Sequence, residues 1–213
     1  MNPLIAIDGP AGSGKSTIAR AVATRLGLSH LDTGAMYRAV TLLVLEAALA
    51  LDDGEGAARL AREMDLECNE RVVVNGRDVT AEIRTPAVDG AVSRVAAHPA
   101  VRRELVARQR EWGRVHGGGV VEGRDIGTVV FPGANLKVYL TADPLERARR
   151  REAQLSVGDE QLPSQAVAAE LSRRDSLDSS RAASPLLVAE DAVVVDSTHL
   201  SVDDVVEEVL SHL

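Results

Sequence analysis

One octapeptide constrains this chain more than any other stretch: Gly9-Pro10-Ala11-Gly12-Ser13-Gly14-Lys15-Ser16 fits the pattern G-x-x-x-x-G-K-[ST]. It lies where that pattern has physical meaning, between the apolar run Leu4 to Asp8, which reads as a buried strand, and a helix expected from Ser16 to Leu26 and closed by Gly27. Glycines let the backbone curl so that successive N–H groups point inward at phosphate oxygens, and the helix start adds its positive dipole end. Lys15 is placed to reach the outer phosphates, and Ser16 to hold Mg²⁺ through its hydroxyl, with Thr17 next to them. Strand, loop and helix agree, which weighs against a mere Gly-rich turn. The pattern also occurs in GTPases, but those are expected to read guanine with N-K-x-D, and no asparagine here begins such a motif.

The rest of the chain alternates as a doubly wound sheet requires. Leu28 to Leu31 reads as a short strand and Met36 to Leu51 as a long helix. Asp65 to Ile83 breaks the rhythm with short strand-like pieces around Asn75-Gly76, a favoured hairpin turn, and reads as a small antiparallel insertion. Helices are expected over Ala87 to Ala97 and Ala100 to His116, then strands at Val120 to Glu122 and Leu136 to Leu140. Pro144 opens an arginine-rich helix, Gly158 to Pro163 interrupts it, and a second helix runs to about Asp175. Ser176 to Pro185 looks like a mobile loop; Ala192 to Val195 is the last strand, and Ser201 caps the final helix.

Composition supports this outline. With 45% hydrophobic but only 2% aromatic residues, the core of these 213 residues must be Val, Leu, Ile and Ala, the filling of a parallel sheet covered on both faces. A net charge of −8 argues against nucleic-acid binding. The lone Cys68 forms no internal disulfide, no basic-then-apolar leader is visible, and no run approaches the roughly 20 apolar residues that cross a bilayer. A soluble cytoplasmic protein is expected.

Two further segments carry chemistry: Leu31-Asp32-Thr33-Gly34-Ala35-Met36-Tyr37-Arg38 and Glu122-Gly123-Arg124-Asp125-Ile126-Gly127-Thr128. Each follows an expected strand and so lies at the carboxyl edge of the sheet, where such folds bind ligands. Arg38 and Arg124 are candidates to hold a second anion beside the cradle. Arg174-Asp175, Asp178 and Arg181 form a third cluster, on a segment suited to closing over transferring phosphates. The helix Glu146-Arg147-Ala148-Arg149-Arg150-Arg151 adds positive charge, with half of its arginines expected to face solvent. Glu122 and Asp125 are carboxylates near the cradle, suited to orienting Mg²⁺ through water, binding an acceptor, or making a salt bridge.

These segments resemble the bacterial cytidylate kinase (CMP/dCMP kinase) family of P-loop nucleoside monophosphate kinases. The resemblance runs over essentially the whole chain: I-D-G-P-A-G-S-G-K-S-T at 7 to 17, L-D-T-G-A-M-Y-R at 31 to 38, E-I-R-T at 82 to 85, E-G-R-D-I-G-T-V-V-F-P at 122 to 132 and R-D-S-L-D-S-S-R at 174 to 181. It implies an α/β P-loop NTPase fold with a five-stranded parallel sheet and helices on both faces. It implies one kinase domain over 1–213, with a core of about 1–40, 117–157 and 186–213, a monophosphate-binding region of about 41–116 that holds the β insertion, and a short lid of about 158–185. It implies transfer of the ATP γ-phosphate, with Mg²⁺, to CMP or dCMP by a monomer. Carried over by motif, Thr33, Arg38, Arg124 and Arg181 contact the acceptor phosphate, Tyr37 and Asp178 the sugar, Ser93, Arg102 and Asp125 the cytosine, and Arg174 bridges donor and acceptor; Gly123 lies among them. A kinase that also takes UMP, and a nucleotide-binding switch without transfer, are the alternatives.

Overall fold

The computed structural model describes residues 2–155, 164–181 and 183–213. Five parallel strands, β1 (Leu4–Asp8), β2 (His30–Asp32), β6 (Gly119–Gly123), β7 (Leu136–Thr141) and β8 (Val193–Asp196), form a sheet in the order β2-β6-β1-β7-β8. Because all run the same way, Asp8, Asp32, Glu122 and Gly123 end up side by side at one edge. β1 occupies the centre because its apolar side chains must be covered on both faces: Ile5, Ala6 and Ile7 are fully buried.

Strand periodicity divides the core in two. Ala6, Leu31 and Val121 face a layer containing α2 (Thr33–Glu46), α4 (Pro86–Ala96) and α5 (Pro99–His116). Ile5, Ile7, Val120, Val138 and Leu140 face α1 (Lys15–Leu26) and α8 (Val202–Leu210). A third, smaller cluster joins Ala11 of the Gly-rich loop to Ala148 on α6 (Pro144–Leu155) and to Val167 and Leu171 on α7 (Ser164–Ser180). The insertion is an antiparallel sheet of β3 (Leu66–Cys68), β4 (Val72–Val74) and β5 (Arg77–Asp78). Its hairpin places Asn75 at φ 51° and Gly76 at φ 77°, the left-handed pair that a two-residue turn of this kind requires.

Three expectations are corrected. The helix read as Met36 to Leu51 begins earlier, at Thr33, because the Asp32 carboxylate accepts from Ala35 N at 3.0 Å, and it stops at Glu46. The stop lacks a sequence signal, since Ala48 rather than a glycine takes the left-handed turn, at φ 50°. The next helix, α3 (Gly54–Glu63), was not anticipated, although the Asp53 carboxylate caps its start by accepting from Gly56 N and Ala57, Ala58 and Ala61 are buried along one face. Ser176 to Ser180 is not loop but the last turn of α7. The serines point outward while Leu171, Arg174 and Asp178 make a buried stripe, so helical spacing overrode serine's preference for turns. The expected break at Gly158 to Pro163 lies outside the described residues. Among the described residues no helix is long and apolar enough to cross a membrane.

Ser201 heads α8 in a capping box, its hydroxyl accepting from Asp204 N while the Asp204 carboxylate accepts from Ser201 N. In urea unfolding, Leu140→Ala, which removes a fully buried β7 side chain, is expected to cost about 2–5 kcal/mol. Ser201→Ala is expected to cost about 1 kcal/mol. An equal cost for the two would contradict this core.

Candidate functional site

The Gly-rich loop is pinned by contacts that glycine alone permits. A Cβ on Gly9, at φ 151°, would stand 2.0 Å from the Leu140 carbonyl oxygen, and one on Gly12, at φ 78°, 3.0 Å from the Arg147 carbonyl. Ser13 is fully buried and donates to Pro10 O, and Arg150 reaches across from α6 to Ser197 and to Ser13 O. The loop therefore opens on one side only. There Lys15 Nζ donates to Pro10 O at 2.6 Å. Burial, with the Arg124 guanidinium adding to it, lowers the Lys15 ammonium to about 7. Gly14 caps α1 with no side-chain hydrogen bond of its own, leaving the helix start open toward the cleft. Ser16 Oγ donates to Glu122 Oε2 at 2.8 Å, and Glu122 Oε1 lies 3.0 Å from His30 Nε2.

Beyond the loop the cleft, about 220 Å³ in volume, runs on into a basic region. Thr17, Thr33, Tyr37, Arg38, Ser93, Arg102, Gly123, Arg124, Asp125, Arg174, Asp178 and Arg181 all line it, together with Ala11, Gly12, Gly14, Lys15 and Ser16. Gly9, Pro10 and Ser13 sit beneath, shaping the loop.

The arginines are grouped by buried carboxylates. Asp125 accepts from Arg102 and stands 3.6 Å from Arg181. Asp178 holds Arg124 Nε at 3.1 Å and lies 3.7 Å from Arg181 NH1. Asp89 gathers Arg38, Arg174 and Arg151. Arg102 also lies over the Tyr37 ring, 5.3 Å from its centroid, and burial pushes the Tyr37 hydroxyl up to about 12. Burial and the neighbouring Arg38 charge bring Arg174 down to about 10, and the Nε atoms of Arg174 and Arg102 are buried without a hydrogen-bond partner. Arg174 and Arg181, both lowered by burial and then by a neighbouring guanidinium, belong to a site suited to an anion.

Several participants were not singled out from sequence. Asp89, in the first turn of α4, had no motif to mark it. Arg84, from the E-I-R-T segment, lines the cleft as well. On α6 the division of arginines differs from the expected half: Arg147, Arg150 and Arg151 turn inward, and Arg149 alone is largely exposed. Spacing of three and four residues between 147, 150 and 151 was the available signal, since it puts them on one helix face. Asp8 has a supporting part: its carboxylate accepts from Ile126 N and Gly127 N, both at 2.8 Å, anchoring the π-helical turn Ile126–Val130 that follows Asp125. Burial, only partly offset by those two hydrogen bonds, raises Asp8 to about 6.

The lowered Lys15 value has a measurable consequence. The folded protein without ligand disfavours the charged ammonium, so the contribution of Lys15 to stability is complete above the unfolded value of 10.5 and is lost as pH falls through about 7. An anion bound against Lys15 would restore the charge. Binding of MgATP is therefore expected to take up protons between about pH 7 and 10.5 and almost none near pH 6, read from calorimetry in buffers of different ionisation enthalpy. Identical proton uptake at pH 6 and 8.5 would contradict this environment.

The comparisons agree with the geometry. Residues 5–213 match the family described as Cytidylate kinase. A cytidylate kinase from Pelotomaculum thermopropionicum is 48% identical over 218 residues, covering 99% of this chain and 96% of that protein. A bifunctional pantoate ligase/cytidylate kinase from a Synechococcus strain is 50% identical over 216 residues, covering 98% of this chain but 40% of that protein. The chain thus spans about two fifths of the length of such bifunctional relatives. Among solved structures, a gluconokinase from Sinorhizobium meliloti aligns with a TM-score of 0.53 at 16% identity, covering 99% of this chain and 90% of that one. An uncharacterized protein from Eubacterium ventriosum aligns at 0.55 and 11%, covering 99% and 98%; both show likeness of fold alone. A Gly-rich cradle continuous with a carboxylate-ordered arginine pocket, matched along nearly its full length by sequence, places this chain in the cytidylate kinase family.

Proposed function

We propose that the chain transfers the γ-phosphoryl group of ATP directly to the phosphate of CMP or dCMP, giving ADP and CDP or dCDP. The observation that carries this reading is a cleft lined both by Lys15 and Ser16 of the loop and by the Arg102–Asp125 pair, together with Arg38, Arg124, Arg174 and Arg181. A phosphate oxygen of the acceptor attacks the γ-phosphorus in line as the bond to the β,γ-bridging oxygen breaks, and ADP departs. The acceptor is already an anion, so no general base is needed. The protein's task is to hold two negatively charged groups together and to neutralise charge in transfer, which Lys15, Arg124, Arg174 and Arg181 do from fixed positions.

Ser16 and the nucleotide phosphates would hold Mg²⁺, with Glu122 next to Ser16 Oγ. These hard oxygen donors suit it, and it supplies neutralisation across the β- and γ-phosphates. At the other end, cytosine offers an exocyclic amino donor beside ring acceptors. Asp125 accepts and Arg102 donates, a complementary set; uracil, with a carbonyl in place of the amino group, faces a carboxylate with an acceptor. Tyr37 and Asp178 line the same cleft, and their oxygens suit them to the sugar hydroxyls.

An ADP-release assay across CMP, dCMP, UMP, AMP and GMP tests the reading; equal rates with UMP would defeat the narrow specificity. Lys15→Ala is expected to lower kcat by roughly 10²–10³ with the fold intact by circular dichroism. Asp178→Ala, which releases Arg124 and Arg181, is expected to raise KM for CMP far more than KM for ATP. An unchanged KM for CMP would remove Asp178 from the acceptor site.

A further inference from the structure

Asp89 is 9% exposed and belongs to none of the segments that carry the family resemblance. Its carboxylate nevertheless holds three guanidiniums from three helices. Oδ1 accepts from Arg38 NH2 on α2 at 2.5 Å and from Arg174 NH1 on α7 at 3.3 Å, and Oδ2 accepts from Arg151 on α6. Burial pushes Asp89 up, but the three guanidiniums, Arg38 foremost, outweigh it and hold the carboxyl below its usual value. The three arginines line the cleft, whereas Asp89 does not. The carboxylate therefore stands behind the wall that the arginines form.

Four elements are tied at one point, so the orientation of Arg38 in the acceptor half depends on α6 and α7. Resting on the reading of CMP as acceptor, we propose that Asp89 is a positioning residue for the acceptor phosphate: it gathers Arg38, Arg151 and Arg174 into one wall, without itself touching substrate. Arg38 NH1 is already engaged by Ile83 O at 2.9 Å, so the Asp89 contact fixes the guanidinium at a second point and leaves its remaining donors one orientation.

The test compares wild type, Asp89→Asn and the double variant Asp89→Asn/Arg151→Gln in steady-state assays with CMP and ATP varied separately. Asp89→Asn is expected to raise KM for CMP roughly ten-fold or more, the order of coupling between groups in one buried network, with a much smaller change in KM for ATP. The double variant removes one of the three cations that lose this carboxylate in Asp89→Asn, so it carries the test if the single variant does not fold. It is expected to keep the raised KM for CMP, because the gathering carboxylate is still gone. A wild-type KM for CMP in either variant would overturn the proposal. A loss of kcat with both KM values unchanged would also overturn it, as the mark of a merely structural role. Absence of CMP phosphorylation by wild type would instead defeat the functional reading on which the proposal rests.

Discussion

Burying positive charge governs this structure. A guanidinium taken out of water costs heavily unless a carboxylate stands within hydrogen-bond reach, and six such groups line this cleft, Arg38, Arg102, Arg124, Arg151, Arg174 and Arg181. Asp89, Asp125 and Asp178 meet that requirement from inside the protein. They do so incompletely, since burial and neighbouring guanidiniums still depress Arg174 and the Nε atoms of Arg102 and Arg174 lack partners. Such a set is suited to a bound anion, which is what the proposed function requires of it.

Another carboxylate, with an arginine of α6, orders the chain around the Gly-rich loop. Asp175 accepts from Ala11 N and from Arg147, and Arg150 bonds both Ser197 and Ser13, so α6 and α7 pack on the cradle as well as on the arginine pocket. The apolar contacts of Ala11 with Ala148, Val167 and Leu171 finish that seam. Donor and acceptor ends of the cleft are thus parts of one packed body. In the proposed reaction, the fixed separation of a lysine and a set of arginines, not any reactive side chain, is what the fold would contribute.

Much of this was legible locally. Leu4 to Asp8, the glycines at 9, 12 and 14, Lys15 and Ser16 announce strand, cradle and helix because each residue type answers a backbone demand within a few positions of itself. The Asn75-Gly76 hairpin was readable for the same reason. Less legible were the features whose causes lie elsewhere in the chain. Ala48 ends a helix without a glycine to mark it, α3 packs through alanines, and Ser176 to Ser180 stays helical because Arg174 and Asp178 on the same helix are tied to Asp89, Arg124 and Arg181.

By itself, then, the amino-acid order determined the α/β alternation, the phosphate cradle and the list of arginines at the sheet's carboxyl edge, since periodicity, turn chemistry and a motif between strand and helix are short-range properties. Only the tertiary structure decided which carboxylate holds which arginine, that Arg147, Arg150 and Arg151 face inward, and that Asp89 stands behind the pocket wall. Pairing of buried charges is settled where helices from distant parts of the chain are brought within about 3 Å of one another, the reach of a hydrogen bond, and no local rule of sequence encodes that distance.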